Sequence, residues 1–353
     1  MSQLFSPIKL RQLEIKNRIF LSPMCQYAAT DGLAGEWHAI HYGARATGGA
    51  GLLMVEATAV APEGRITPHD LGLWDDHQTQ ALQPIARFIQ AQDATPAIQL
   101  AHAGRKGSCA APWLGGNPLP PNQGGWRPIA PSPLPFTPQG DAPREMRTAE
   151  IDAVVGQFVA AAHRALAAGF RVVEVHMAHG YLLHAFLSPL ANQRKDEYGG
   201  SLENRMRLPL RVAAAVRDVW PESLPMFVRI SATDWAPGGW DLEQSLALAG
   251  ALKNIGADLI DCSSGGLIAA AAVPLAPGFQ TTFAETVRRE AQIATSAVGL
   301  ITEAIQAEHI LVSGQADAVF LGRELLRNPA WPLAAARKLG ASVNWPLSYE
   351  RAK

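Results

Sequence analysis

Eight short apolar runs are spaced along the whole chain, and they constrain its fold more than any other sequence feature. The runs are rich in Val, Ile, Leu and Phe and lack the polar alternation of a half-exposed sheet, which is typical of parallel strands buried on both faces. The predicted strands are Arg18 to Pro23, Leu52 to Thr58, Ala97 to His102, Val172 to Met177, Phe227 to Ser231, Leu259 to Ser263, Ser296 to Leu300, and Ala318 to Leu321. Helical spacing between the runs, clearest from Ile151 to Leu166, therefore predicts an α/β protein with the (β/α)8 TIM barrel fold.

A barrel of this kind accounts for all 353 residues, so we expect a single domain over residues 1–353. Residues 8–17 alternate between apolar and polar, which predicts a hairpin capping the bottom of the barrel. A long loop rich in Pro and Gly, from Ala110 to Arg144, follows the third strand. Loops of this length are commonly lids or binding loops, and we expect a partial lid over the active-site mouth.

The composition excludes several function classes. Thirty Lys and Arg nearly balance 31 Asp and Glu, so no uniform positive field is present to bind nucleic acid. Cys25, Cys109 and Cys262 lie far apart, which argues against a disulfide framework and a structural zinc site. The sequence shows neither a signal peptide nor a long apolar run, so we expect a cytoplasmic protein without membrane association.

Polar residues are concentrated where the predicted strands end, and in a barrel these positions converge on one cavity. They include Cys25 and Tyr27 after the first strand, Gln99 and Lys106 near the third, and Arg229 on the fifth. Glycines follow the last three strands, and Arg323 comes directly after Gly322. Bare backbone N–H groups next to a fixed guanidinium suit a phosphate group, although each glycine could instead only form a tight turn.

The fourth strand ends in a histidine pair, His176 and His179, followed by Tyr181. Two imidazoles can ligate a metal, which leaves a metal-dependent TIM-barrel hydrolase open as an alternative. The other strand ends offer Arg229, Lys106, glycines and serines, and cationic neighbours would repel a metal, so no metal site is predicted. Inward-facing imidazoles can also donate hydrogen bonds to a substrate oxygen, with Tyr181 as a proton donor.

These motifs together resemble the old yellow enzyme family, and most closely its cysteine-containing, thermophilic-like subgroup of bacterial NADPH dehydrogenases and xenobiotic reductases. The motifs are Ser22 to Tyr27, Glu56 to Val60 with Gly64 to Thr67, Gln99 to Lys106, His176 to Leu182, Asn192 to Ser201, and Gly322 to Leu325. The resemblance covers the chain from about Leu4 to Arg351.

The resemblance implies an FMN-dependent ene-reductase. NADPH or NADH would reduce the flavin, which would then reduce the activated C=C bond of an α,β-unsaturated carbonyl compound or related xenobiotic in ping-pong fashion. The absence of a G-x-G-x-x-G fingerprint agrees with this, because the nicotinamide then needs no domain of its own. A non-catalytic flavin-binding protein is a further alternative, although binding alone would not require His176, His179 and Tyr181 together.

The resemblance also implies the roles of individual residues. The isoalloxazine ring would contact the loop after the first strand, with Arg229 beside N1 and the C2 carbonyl, and glycines and Arg323 would hold the phosphate. The expected cofactor-binding residues are Ser22, Pro23, Met24, Cys25, Ala57, Gln99, Arg229, Ser264, Gly265, Gly299, Gly322 and Arg323.

On the substrate side, His176 and His179 would bind the acceptor's carbonyl oxygen and Tyr181 would protonate its α-carbon. Tyr27 would supply a second hydroxyl, and Cys25 would tune the flavin without acting as a covalent nucleophile. Arg351 resembles a tail residue that enters a neighbouring subunit's active site, which implies a homodimer or homotetramer. The stretch from Cys109 to Phe136, which contains Trp113 and Trp126, departs from the family pattern and leaves the substrate range open.

Overall fold

Eight parallel strands close into a barrel in a computed structural model that describes residues 2–137 and 140–353. The strands of the chain are β1 (Ile8–Leu10), β2 (Leu13–Ile15), β3 (Ile19–Leu21), β4 (Leu52–Ala59), β5 (Thr95–Ala101), β6 (Ile129–Ala130), β7 (Arg144–Glu145), β8 (Val172–Met177), β9 (Met226–Ser231), β10 (Leu259–Ser263), β11 (Ala294–Val298) and β12 (Ala318–Leu321). The order around the barrel is β3, β4, β5, β8, β9, β10, β11, β12, and β12 pairs with β3. The predicted TIM barrel is confirmed.

Helices separate the barrel strands. They are α1 (Glu36–Thr47), α2 (Asp76–Ala91), α3 (Thr148–Ala167), α4 (Leu182–Leu187), α5 (Leu202–Val219), α6 (Leu242–Ile255), α7 (Thr281–Ala291), α8 (Ala304–Val312), α9 (Arg323–Arg327) and α10 (Trp331–Lys338). Helix α3 buries the apolar side chains that predicted it, including Ile151 and Phe158. Every helix within the described residues is too short or too polar to cross a membrane.

Five of the eight barrel strands, β3, β4, β5, β9 and β11, differ from their predicted bounds by one or two residues at an end. The carboxyl ends of β3 and β11 have local reasons. Strand β3 ends at Leu21, although the Ser22 N–H still donates to Leu321 O at 3.0 Å. Pro23 has no N–H and cannot extend the ladder. Strand β11 begins at Ala294 and ends at Val298, because Gly299 adopts a φ of +121° that leaves the strand conformation.

The lower half of the barrel is an apolar plug. The antiparallel hairpin β1–β2 buries Ile8 and Ile15 against side chains of the barrel interior, as the sequence predicted. Three phenylalanines fill the centre, and the rings of Phe20 and Phe320 lie 5.4 Å apart in an edge-to-face arrangement. Polar side chains are thereby confined to the opposite end, where the strands terminate at their carboxyl ends.

A β-bulge in β4 sets the orientation of two residues near the site. The register with β5 shifts between Val55 and Ala57, so Glu56 is the extra residue. Glu56 lies close to His38 and Tyr42 of α1, which covers the outside of the barrel, whereas Ala57 pairs with Gln99. The bulge therefore places a buried carboxylate behind the site and returns a small side chain to the barrel interior.

Candidate active site

The end of β8 carries His176, and the turn between β8 and α4 carries His179 and Tyr181. His179 adopts a φ of +60° and Gly180 a φ of +75°, conformations that need support from their surroundings. The His179 N–H donates to Ser231 Oγ at 2.9 Å, and the Gly180 N–H donates to His184 Nδ1 at 2.9 Å. His184 Nε2 in turn lies 3.0 Å from Asp234 Oδ1, and both side chains are fully buried. Hydrogen bonds to a β9 side chain and to an α4 side chain thus stabilise the turn.

The rings of His176, His179 and Tyr181 form one cluster. His176 lies 5.2 Å from the ring of His179 and 5.1 Å from that of Tyr181, edge to face in both cases. Burial lowers the pKa of both histidines well below the usual value, and the nearby positive charge of Arg229 adds to this effect. Both imidazoles are therefore neutral at physiological pH.

The two histidines differ in which nitrogen is available. His176 Nδ1 accepts from the Ala178 N–H at 3.3 Å, so the proton of the neutral ring lies on Nε2, which can donate to a ligand. His179 Nε2 instead forms a 2.7 Å hydrogen bond with Ser263 Oγ. In this conformation His176 is the better-prepared donor of the pair.

Tyr181 is a protonated phenol in this site. Burial raises its pKa well above the ordinary value, and nearby groups that include Cys25 and Tyr27 raise it further. Its backbone begins α4, since the Tyr181 carbonyl accepts from the Ala185 N–H at 2.8 Å. The phenol therefore keeps its proton at physiological pH and is held on a fixed backbone.

The loop after β3 places Cys25 and Tyr27 on the same side of the barrel. Glu56 Oε2 accepts from the Gln26 N–H at 2.6 Å, which ties this loop to the bulge of β4. Burial raises the pKa of the Cys25 thiol well above its usual value, with additional contributions from the carboxylates of Asp70 and Glu56. Cys25 is consequently a neutral thiol rather than a reactive thiolate.

A buried hydroxyl without a partner lies among paired polar groups at the site. Ser22 Oγ is buried and has no hydrogen-bond partner within the described residues. Arg229 Nε lies 3.0 Å from Asp261 Oδ2, and Gln99 Nε2 donates to Glu174 Oε1 at 2.7 Å. Buried polar groups normally find a partner, so the lone Ser22 hydroxyl indicates a polar ligand at this point.

The glycine-rich loops after β10, β11 and β12 are not equivalent. Ser264 Oγ donates to Gln280 Oε1 at 2.6 Å and accepts from Trp235 Nε1 at 2.9 Å, and the Gly265 N–H donates to Thr233 O. The backbone N–H groups of Gly299, Gly322 and Arg323, in contrast, have no backbone acceptor among the described residues. These three are the better candidates for binding an anion.

The loops after β3 and β12 meet beside these groups. A Cβ on Gly322 would come within 3.6 Å of Met24 Sδ and 3.8 Å of Ser22 Cβ. The predicted ring-contacting loop and the predicted phosphate-binding loop are therefore adjacent, as one elongated cofactor would require.

Lys106, which the sequence placed near a strand end without a role, connects several parts of the site. Its ammonium donates to the carbonyls of His179 at 2.8 Å and Gly266 at 2.9 Å. It also lies 4.4 Å from the ring of Phe136 and 5.0 Å from that of Tyr181. Burial lowers its pKa to about 8. Lys106 thus supports the histidine turn and attaches the long loop to it.

The long loop forms a wall of the acceptor-side cavity. Trp126 Nε1 donates to Glu63 O at 3.0 Å, and the Arg65 guanidinium lies between the rings of Trp74 and Trp126, at 5.4 and 5.1 Å. A cavity of about 280 Å³ lies between this loop and the tyrosines Tyr27 and Tyr181. Residues 138 and 139 of the predicted lid lie outside the described residues. The described part lines the cavity beside Tyr27 and Tyr181, and its action as a lid stays a prediction.

Arg351 is the one predicted site residue that lies elsewhere. It is exposed on a 3-10 helix, Leu347–Ala352, beside Thr47 and Gly48 at the carboxyl end of α1. Helices of this fold run opposite to the strands, so this end of α1 is at the bottom of the barrel. Arg351 therefore does not enter the site of its own chain.

Comparison with known proteins agrees with this geometry. The family model described as "NADH:flavin oxidoreductase / NADH oxidase family" matches residues 3–341. An NADPH dehydrogenase of Geobacillus sp. is 48% identical over 352 residues, covering 99% of this chain and 98% of the relative. An NADPH dehydrogenase of Geobacillus thermodenitrificans is 49% identical over 350 residues, with coverage of 99% and 98%.

Solved structures give the same result. Morphinone reductase in complex with tetrahydroNAD has a TM-score of 0.78 at 30% identity and covers 98% of this chain and 93% of its own. An old yellow enzyme homologue from Zymomonas mobilis has a TM-score of 0.79 at 29% identity, with coverage of 97% and 94%. The family match spans nearly the whole chain, and the chain belongs to the NADH:flavin oxidoreductase / NADH oxidase family of FMN-dependent oxidoreductases.

Proposed function

We propose that this chain is an ene-reductase that passes hydride from NADPH or NADH, through FMN, to the activated C=C bond of an α,β-unsaturated carbonyl compound or related xenobiotic. The observation that carries the proposal is the cluster of His176, His179 and Tyr181, which combines neutral imidazole donors with a protonated phenol. Hydride addition to such a bond needs hydrogen-bond donors at the carbonyl oxygen and a proton at the α-carbon.

The residues around the barrel mouth fit FMN. Ser22 Oγ, buried without a partner within the described residues, would gain one from the ring, and Arg229 presents a cation whose Nε lies 3.0 Å from Asp261 Oδ2. Pro23, Met24, Cys25, Ala57 and Gln99 would complete the ring site. Gly299, Gly322 and Arg323 would bind the phosphate through backbone N–H groups, whereas Ser264 and Gly265 already use their donors elsewhere. FMN, when bound, supplies the hydride chemistry.

The protein's own contribution is orientation, polarisation and one proton. His176 Nε2 donates to the acceptor's carbonyl oxygen and stabilises the negative charge that develops there as hydride adds to the β-carbon. Tyr181 then gives its proton to the α-carbon, and its high pKa suits this step because the developing enolate is a stronger base than the phenolate. Tyr27 and the loop wall confine the acceptor and limit the entry of water.

Two alternatives are separated by simple observations. A metal-dependent hydrolase built on His176 and His179 would need further ligands, and the described residues contain no group of three or more His, Cys, Asp or Glu that could hold a metal. A non-catalytic flavin protein would bind FMN without turnover. The cycle of flavin reduction and reoxidation distinguishes both from an ene-reductase.

The test is the visible spectrum of the purified protein without oxygen, before and after NADPH and again after 2-cyclohexenone. A flavin band that bleaches with NADPH and returns with the enone supports both half-reactions. A protein that takes up no FMN on reconstitution contradicts the proposal. A flavin that bleaches but does not return identifies a different acceptor chemistry.

Replacing Cys25 by alanine should leave FMN bound and reducible while changing the reduction rate and the flavin potential. The reason is that the thiol is neutral and so acts through contact with the ring rather than as a nucleophile. Stopped-flow reduction by NADPH measures the effect, with Cys109→Ala as the control for a cysteine of the loop wall. Complete loss of flavin reduction with FMN still bound would contradict this role.

We also propose a homo-oligomer in which Arg351 of one protomer enters the active site of another. Arg351 lies at the bottom of its own barrel, so only a second copy can bring it to a site. Exposed apolar side chains support association near this region, namely Leu347 and Tyr349 on the tail, and Trp37 and Ile40 are exposed at the opposite, amino end of α1.

Deleting residues 349–353 should therefore raise the KM for the enone about tenfold, as expected for loss of one charge-assisted hydrogen bond. The flavin reduction rate at saturating NADPH should change less. Lys353→Ala is the matched control, since it removes a neighbouring exposed cation. An unchanged KM in the truncated protein would argue against the shared site.

Small molecules are the proposed ligands of this chain, and no nucleic-acid or membrane partner is proposed. Action in the cytoplasm stays a prediction from the sequence.

A further inference from the structure

A layer of polar side chains crosses the barrel interior between the apolar plug and the histidine cluster. It consists of Gln99 on β5, Glu174 on β8, Arg229 on β9, Asp261 on β10 and Ser296 on β11, and none is more than 5% exposed. Strand register places Gln99 opposite Glu174, and Asp261 opposite both Arg229 and Ser296. Arg229 and Gln99 have proposed roles at the flavin, whereas the two acids of the layer, Glu174 and Asp261, have none.

The two acids have unequal surroundings. Asp261 Oδ1 accepts from Ser296 Oγ at 3.0 Å, and Asp261 Oδ2 lies 3.0 Å from Arg229 Nε in an ion pair whose geometry is not that of a hydrogen bond, so its negative charge is still opposed by a cation. Glu174 Oε1 accepts from Gln99 Nε2 at 2.7 Å, whereas Glu174 Oε2 is buried without a hydrogen-bond partner in the described residues. An ionised carboxylate with one bare oxygen is unfavourable in a dry interior, whereas a carboxylic acid is tolerated there.

The charges of the layer agree with this contrast. Burial, followed by the negative charge of Asp261, raises the pKa of Glu174 to about 8, against the opposing effects of Arg229 and Gln99. These are the groups that face Glu174 from β5, β9 and β10. At neutral pH the layer thus holds a neutral Arg229–Asp261 pair and a protonated Glu174.

We propose that Glu174 is a positioning residue that acts on the charge next to the flavin. Glu174 holds a proton when reduction adds negative charge above Arg229, so a Glu174 that is ionised beforehand takes up a proton as the cofactor is reduced. This inference rests on the proposed function, because it requires FMN to lie over Arg229. Glu174 touches neither cofactor nor substrate in this proposal and acts through Arg229.

A hydride brings two electrons and one proton to the cofactor and leaves it one unit more negative. If Glu174 is ionised beforehand, one proton from solvent bonds to its carboxylate and cancels the added charge. If Glu174 is already protonated, no further proton is needed. The extra proton is therefore expected only above about pH 8, where the carboxyl is ionised before reduction.

The experiment measures the flavin midpoint potential of the holoenzyme against pH by spectroelectrochemistry. Wild type should take up one proton per two electrons below about pH 8 and approach two above it. Glu174→Gln, which preserves the shape and the acceptor for Gln99, should take up one throughout. Ser296→Ala is the matched control, because it disturbs the same layer but removes no charge, and it should behave as wild type.

Identical slopes in wild type and Glu174→Gln, in a protein whose flavin still cycles, would overturn the coupling while leaving the proposed function intact. A protein in which FMN does not cycle would instead overturn the proposed function. The two failures are therefore distinguishable before the potentials are compared.

A second readout needs no cofactor. A carboxyl whose pKa is higher in the folded than in the unfolded state loses its stabilising effect as pH rises between the two values, here from about 4.3 to about 8. Thermal unfolding of the apoprotein should therefore show Glu174→Gln gaining stability relative to wild type as pH rises from 5 to 9. A difference that does not change with pH would contradict a protonated Glu174.

Discussion

Replacing Tyr181 by phenylalanine is expected to slow enone reduction by about 100- to 10,000-fold, the usual contribution of a positioned general acid. Flavin reduction by NADPH should stay within a few-fold of wild type, because that half-reaction transfers a hydride and needs no proton from the phenol. The edge-to-face contact with His176 is retained in phenylalanine, so the cluster should keep its packing.

Anaerobic stopped-flow measurement of each half-reaction separates the two effects. Tyr27→Phe is the informative comparison. Tyr27 lines the same cavity as Tyr181 but lies in the loop after β3, whereas Tyr181 lies in the turn after β8. We expect it to affect acceptor KM more than the reoxidation rate. A Tyr181→Phe enzyme that is reoxidised by the enone at the wild-type rate would transfer the acid role to another group.

Apolar runs in the sequence were sufficient to predict the barrel. Strands β8, β10 and β12 begin and end where the pattern placed them, because continuous burial on both faces leaves few other interpretations. The ends of β3 and β11 shifted, since a proline without an N–H and a glycine at φ +121° end ladders in ways that hydrophobicity does not record.

The sequence predicted which residues follow β8 at the site but not the hydrogen bonds that they form. Sequence placed His176, His179 and Tyr181 at one strand end, and the structure brings the rings of His179 and Tyr181 to 5.2 and 5.1 Å from that of His176. The hydrogen bond of His179 to Ser263 joins the turn after β8 to the end of β10, between residues 84 positions apart in the sequence. Local spacing carries no information about such a contact.

The sequence did not predict the two acids of the polar layer inside the barrel, and the reason is different. Glu174 and Asp261 are single acids within otherwise apolar strands, and each could have been assigned to a surface-facing position. Counting inward positions by alternation would have found Glu174, because it lies two residues before His176 on the same face. The same alternation fails for Glu56, where the bulge of β4 turns the acid toward α1.

Resemblance to a family does not show whether a predicted phosphate-binding residue has a free hydrogen-bond donor, as Ser264 and Gly265 illustrate. Their position after β10 matched the family pattern, but the Ser264 hydroxyl is bonded to both Gln280 and Trp235. Side chains from α7 and from the loop after β9 thus compete for the donors that a phosphate would use. The role of these two residues stays a prediction, and Gly299, Gly322 and Arg323 are the stronger candidates.

Replacing His176 by alanine should lower the rate of enone reduction by about 100- to 1,000-fold, the usual cost of removing one donor from a developing oxyanion. The neutral ring carries its proton on Nε2, and His179 Nε2 is held by Ser263, so no equivalent donor is ready to replace it. His176→Asn should recover part of the loss, because its amide can donate from a similar position.

The pH dependence provides a second criterion for His176. Burial and the positive charge of Arg229 lower its pKa well below the usual value, so it is neutral at and above neutral pH and should contribute no step to the enone rate near the ordinary imidazole pKa of about 6.5. His163→Ala, on the exposed face of α3, is the matched control and should leave the rate unchanged. A wild-type rate that rises on acidification with a midpoint near 6.5, and loses that step in His176→Ala, would mean that a protonated imidazolium is the donor.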